Sequence, residues 1–211
     1  VTSNPWRHVK RLQATVGHNH PFPPEVKRAI LEDLKANDPG LYRFVLLVYL
    51  AWLRPREALQ LQVRHIDLAG RRVHVPATIS KNKKQDFVAM PPALYEALAS
   101  AGLERLPADW YLFSPRGRAH TGPRSLLPGP RHADFTAANT RHRLYCKKHG
   151  APPECALYSW KSTGVADAVE AGIHPARIKA HGRWADFDIL MAYLKRIGKE
   201  TASEFLEFSP A

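Results

Sequence analysis

Three side chains in this sequence are of types that could act together on a phosphodiester. Arg54 follows a run of mostly apolar residues and precedes Pro55, at what reads as a junction between two helices. Lys81 falls at the turn of an expected hairpin, and Tyr193 lies within an expected late helix. Chemistry at a phosphate needs cations around the non-bridging oxygens. It also needs a nucleophile in line, and a tyrosine hydroxyl serves where a covalent link to phosphorus is wanted. On spacing alone, a packed core tyrosine is the plainer reading of Tyr193. Other chemistries are poorly represented. Cys146 and Cys155 form no CxxC and have no His pairing suited to zinc. His18 and His20 make an HxH in a Pro-rich polar segment, which reads as ordinary tail rather than a metal site. There is no Gly-rich phosphate loop and no internal repeat.

The charge balance points to a polyanionic partner. The chain has 211 residues with 31 Lys plus Arg against 19 Asp plus Glu, a formal net charge of +12. Such a field favours nucleic acid or an anionic membrane surface; a basic surface kept for solubility is the plain alternative. The longest apolar stretch, Phe44 to Leu53, is far short of the roughly 20 residues a spanning helix needs. With no signal peptide and too few cysteines for a disulfide framework, a reducing, intracellular compartment is expected. The opening residue, Val1 rather than Met, suggests a piece of a longer protein. Length and an apolar fraction of 45% fit one globular domain with an arm.

The elements that must position these groups can be read in order. Residues 1–24 carry Arg7, Lys10 and Arg11, no acidic residue, and Pro21, Pro23 and Pro24, the profile of a basic linker or arm. Val26, Ile30 and Leu34 then recur at helical spacing, with Pro24 suited to the first turn. Asn37 to Gly40 stops that helix and starts another. The second helix, buried and nearly all apolar, is expected over residues 41–53, and Pro55 ends it while opening the next. Residues 64–67 read as a loop. Val73, Val75, Ala77 and Ile79 alternate, and after a basic turn a second strand is expected over residues 87–90. Pro76 would place the first of these strands at an edge. Pro91 and Pro92 open a helix ending at Ser100. Residues 105–150 hold nine Arg or Lys and two Asp, and residues 116–131 read as a basic loop. Helices follow over residues 136–148, 161–170, 175–181, 187–196 and 201–208.

Several of these segments resemble the tyrosine recombinase, or phage integrase, superfamily. The run from Tyr49 to Leu61, YLAWLRPREALQL, is similar to its first conserved block, with an Arg three residues before a Glu after a hydrophobic helix. The turn KNKKQDFV from Lys81 to Val88 is similar to the catalytic-lysine hairpin and puts Lys81 in register. Gly182-Arg183-Trp184 followed by Tyr193 is similar to the Gly-x-Trp arrangement nine residues ahead of the nucleophile. By that register His181 is a local contact. One block departs. Where the family has His-x-x-Arg, this chain has Tyr158 and, 23 residues before Trp184, Lys161. Lysine keeps the charge but lacks the planar fork that holds two phosphate oxygens at once.

The resemblance implies a mostly helical α+β fold, a tyrosine-recombinase catalytic domain with a small antiparallel hairpin or sheet. It would span residues 25–200, after an arm at 1–24 and before a C-terminal segment at 201–211. Phe205, Leu206 and Phe208 of that segment would dock on a neighbouring subunit or fold back. The implied activity is breakage and rejoining of double-stranded DNA through a 3′-phosphotyrosyl intermediate, in recombination or integration of a mobile element. Tyr193 would be the nucleophile and Lys81 the general acid. Arg54 and Lys161 would stabilise the phosphorane, with Trp184 and Tyr158 adding contacts to phosphate. Glu57 would brace Arg54 or a neighbouring backbone N–H. Lys83, Lys84, Arg141, Arg143, Lys147 and Lys148 would contact DNA phosphates, or otherwise form a solvated face. No metal or nucleotide cofactor is implied, and an assembly of two or four copies on DNA is. Two alternatives stand: a DNA-binding descendant impaired by Lys161 and Tyr158, and a type IB topoisomerase-like enzyme.

Overall fold

The computed structural model describes residues 19–115 and 126–196; residues 1–18 of the expected arm and the expected segment 201–211 lie outside them. Helix α1 (Pro24–Asn37) begins on Pro24, whose missing N–H is unneeded in a first turn. Its Ile30 and Leu34 are fully buried. Asp38 then caps α2 (Pro39–Tyr49), its carboxylate accepting the Leu41 N–H at 3.1 Å. Apolar on nearly every side, α2 is the axis of the domain. It packs against α1, α4 (Pro92–Ala99) and α6 (Ser159–Glu170). It ends at Tyr49, short of Leu53, because Trp52 takes a left-handed backbone with φ 49°. Pro55 starts α3 (Pro55–Leu59) directly afterwards.

Strands β1 (Ile66–Asp67), β2 (Arg72–Val75) and β3 (Asp86–Ala89) form an antiparallel sheet in that order, with Val73 opposite Val88. This corrects two sequence expectations. Strand β2 is central rather than at an edge, because residues 66–67 pair instead of looping. Pro76 is tolerated because it lies just beyond Val75, the last paired residue, where no ladder bond is lost. The alternation also stops there: the Ile79 and Ser80 N–H groups both return to the Pro76 carbonyl, making a turn. A further correction concerns the basic loop. Within it Leu127–Gly129 forms β5, antiparallel to β4 (Tyr111–Ser114), while residues 116–125 are outside the described region. Helices α5 (Phe135–Lys148), α7 (Pro175–His181) and α8 (Phe187–Arg196) complete a mostly helical α+β fold. Among the described residues no helix is long and apolar enough to cross a membrane.

Two apolar clusters hold these elements. The larger surrounds α2 and includes Phe22, whose ring lies 4.4 Å from that of Trp160. The Phe22 N–H donates to Thr163 Oγ1 at 3.0 Å, so the last residues of the expected arm are docked on α6. The smaller cluster gathers Trp52, Val165, Ile178, Trp184, Leu190 and Tyr193. Gly164 lets the two meet: a Cβ there would lie 2.0 Å from the Tyr49 carbonyl oxygen and 2.5 Å from Trp52 Nε1. That close approach presses α6 against the C-terminal end of α2.

Candidate active site

Glu57 organises the site. It is 3% exposed, in the single turn that Pro55 opens. Its Oε2 accepts the Arg54 backbone N–H at 3.0 Å, and its Oε1 accepts Arg54 Nη1 at 2.9 Å. Arg183 Nη2 donates to Oε2 at 2.6 Å, and the Lys81 backbone N–H donates to Oε1 at 3.1 Å. Burial by itself would raise the Glu57 carboxyl. The charge and hydrogen bond of Arg183, with the backbone donors of Arg54 and Lys81, hold it at about 2. One carboxylate thus joins α3, the β2–β3 turn and the segment after α7. A second tie runs from the same turn, where Asn82 Nδ2 donates to the Arg183 carbonyl at 3.4 Å.

Lys161 sits in the first turn of α6, carried to this cluster by the Gly164 contact. Its side chain is fully buried, and its Nζ has no hydrogen-bond partner among the described residues. Burial, then the charges of Arg54 and Arg183, push the ammonium down to about 7, with Glu57 opposing. The Nζ lies 5.7 Å from the centre of the Trp184 ring, a cation–π contact. Trp184 stacks on Tyr193 with centroids 4.9 Å apart and also on Trp52 at 6.1 Å. Gly182 permits this packing, since a Cβ there would come within 2.7 Å of the indole. The Tyr193 ring is 7% exposed, and its hydroxyl is 3.0 Å from that of Tyr158.

The structure therefore brings together two linked sets, Arg54 with Glu57 and Lys161 with Trp184, Tyr193 and Tyr158, close enough that Arg54 and Glu57 act on the charge of Lys161. The Lys81 backbone is fixed at its edge while its side chain is exposed. Lys83 and Lys84 are exposed on the same turn, Lys83 with a left-handed backbone at φ 52°. The four basic residues of α5 are not gathered here. Arg141 is paired with the buried Asp38, and Lys148 binds Asp33 at 2.6 Å; both carboxylates lie near the α1–α2 junction. That is the far end of α2 from Arg54, about 16 Å along the helix axis. Arg143 and Lys147 are exposed on the same helix. His181 is a local contact, its Nε2–H donating to the Leu50 carbonyl at 2.8 Å.

Sequence reasoning missed Arg183 and Trp52. The signal for Arg183 was a basic residue inside a Gly-x-Trp triplet; for Trp52 there was none beyond its place in an apolar run.

Compared with solved structures, the chain is similar to the XerA recombinase, with a TM-score of 0.64 and 16% identity over 89% of this chain and 62% of that one. It is similar to the Tn1549 transposon integrase in complex with circular intermediate DNA, with a TM-score of 0.61 and 14% identity over 90% and 64%. A third similar structure is the XerH site-specific recombinase bound to a palindromic difH substrate in a post-cleavage complex, with a TM-score of 0.62 and 12% identity over 84% and 50%. The chain thus has the fold of these recombinases and spans less than two thirds of their length. No protein-family model and no curated protein sequence matches it.

Proposed function

We propose that this chain is the strand-breaking and rejoining domain of a tyrosine recombinase acting on double-stranded DNA, in recombination or integration. The carrying observation is a cluster in which Arg54 binds Glu57, both bear on the charge of the buried Lys161, and Lys161 lies over Trp184, which stacks on Tyr193. It sets unsatisfied cationic donors beside a tyrosine with a polar partner on its hydroxyl. The recombinase fold supports the same reading. Tyr193 Oη attacks the scissile phosphorus, and the bond from phosphorus to the 5′-oxygen breaks. The result is a 3′-phosphotyrosyl link and a free 5′-hydroxyl. The phenolic proton passes to the Tyr158 hydroxyl as that hydroxyl releases its own proton to solvent, since either of the two oxygens can donate. Lys81 protonates the departing 5′-oxygen, its backbone fixed by Glu57 while its exposed side chain reaches the substrate. Arg54 and Lys161 bear on the non-bridging oxygens, where negative charge grows. Attack by a 5′-hydroxyl on the tyrosyl link reverses the sequence. Two or four copies on DNA would complete an exchange.

A second reading, DNA binding without cleavage, is favoured by the 7% exposure of Tyr193 within an apolar cluster. One experiment separates them. The protein is incubated with a pool of nicked random-sequence duplexes that trap a covalent intermediate, and resolved on a denaturing gel. The first reading expects an adduct that is absent with Tyr193→Phe. Salt-sensitive binding without an adduct from any version supports the second.

A further inference from the structure

Position 161 carries a point charge where the resemblance implies a guanidinium, yet two guanidinia border it. Arg54 and Arg183 both lower the proton affinity of Lys161, and they divide the Glu57 carboxylate between them, Arg54 Nη1 on Oε1 and Arg183 Nη2 on Oε2. Two guanidinium groups thus share one carboxylate, with the Lys161 ammonium within reach of all three charges. The Arg183 side chain is 6% exposed, and its Nε–H, like Lys161 Nζ, is buried without an acceptor among the described residues. Two orphaned donors in one cationic cluster are costly to keep. They call for an anion that supplies two acceptors together.

The backbone at Arg183 agrees. Its φ is 56°, a left-handed conformation in which glycine would be free of strain. A side chain is held there nonetheless, anchored by Glu57 at its tip and by Asn82 on its carbonyl. Packing alone gives no reason for an arginine with an unpaired Nε.

We propose that Arg183 is the second phosphate-contacting guanidinium of the site, donating from Nε beside Lys161 Nζ to the non-bridging oxygens of a DNA phosphate. It makes, with Lys161, the two-oxygen contact that a lysine cannot make alone. Arg54, 25% exposed, is the member of the cluster open to solvent, so the phosphate approaches from its side. This inference rests on the strand-breaking reading for the identity of the anion, though not for the presence of an anion site.

The test is a titration with inorganic phosphate at constant ionic strength, followed by the fluorescence of Trp184 and Trp52 beside the site. The wild type is expected to give a saturable change. Arg183→Gly, which suits the left-handed backbone, is expected to bind phosphate about tenfold more weakly or worse. Its unfolding temperature should fall as well, because the buried Glu57 carboxylate keeps Arg54 but loses its Arg183 partner, and added guanidinium ion should recover part of the phosphate affinity. Arg105→Gln, on the exposed surface, should leave the titration unchanged. If Arg183→Gly does not fold, Arg183→Lys decides by the same loss of affinity. The idea is overturned by wild-type affinity in the variant that decides, or by a wild type without saturable phosphate binding. An Arg183-dependent phosphate site in a protein that never forms a DNA adduct would sink the strand-breaking reading and keep this one.

Discussion

The hydroxyls of Tyr158 and Tyr193 lie 3.0 Å apart, so Tyr158 touches the candidate nucleophile itself. Its position at the start of α6 places it beside α8, and under the proposed function its hydroxyl would orient the attacking oxygen and offer a path for the proton. Tyr158→Phe is expected to slow adduct formation by about tenfold to a hundredfold, the usual effect of a misplaced reacting group. The stability cost should be about 1 kcal/mol for one hydrogen bond. Single-turnover adduct kinetics alongside urea unfolding check both.

Lys161 makes the stability of the protein depend on pH in a definite direction. Burial and two arginines lower its ammonium from an ordinary 10.5 to about 7. Below pH 7 it is protonated folded and unfolded, and the cost of the buried charge is present in full. Between about 7 and 10.5 the unfolded chain holds the proton that the folded chain has released, so stability rises with pH. Lys161→Met removes this term. Its unfolding temperature should exceed the wild type's most at pH 6, with the gap narrowing steadily towards pH 10. A gap independent of pH would contradict the assigned burial.

Glu57 behaves in the opposite sense. Its carboxyl is held at about 2 against an ordinary 4.5, so its contribution is present above pH 4.5 and is lost as pH falls from there towards 2. Glu57→Gln leaves the Arg183 guanidinium buried without its counter-charge, which typically costs about 3–5 kcal/mol. Chemical denaturation at pH 7 should show that loss. Between pH 4.5 and 2 the wild type should lose stability towards the level of the variant.

Much of the fold was legible where local pattern and packing agree. The prolines at 24, 55, 92 and 175 each stand in a first helical turn, and α5, α7 and α8 follow apolar spacing between clear breaks. Strand β5 was not legible, because Leu127-Pro128-Gly129 has no strand character of its own and is paired only by what β4 presents. The central place of β2 was hidden likewise: two residues, Ile66 and Asp67, make the neighbour that moves it from the edge. In the site, Arg54 and Glu57 are three apart at a helix start, so their contact could be read from spacing. Arg183 could not, since it meets Glu57 across 126 residues and from a backbone conformation that arginine does not advertise.

The basic residues singled out for DNA divide by what they already hold, and salt dependence distinguishes the two groups. Lys83 and Lys84 are exposed on the turn that Glu57 and Asn82 fasten to the site. Replacing either by Ala should weaken binding to duplex DNA similarly across sequences and reduce the slope of log K against log salt by about 1. Arg141 is 17% exposed and committed to Asp38, which is wholly buried at the start of α2. Arg141→Ala should leave the salt slope where it was. It should instead destabilise the fold by about 3 kcal/mol, because the Asp38 carboxylate keeps its bond to the Leu41 N–H but loses its cation. Filter binding from low to moderate salt, with unfolding curves for the same proteins, gives both numbers. A shallower slope in Arg141→Ala would return that residue to the DNA-binding face.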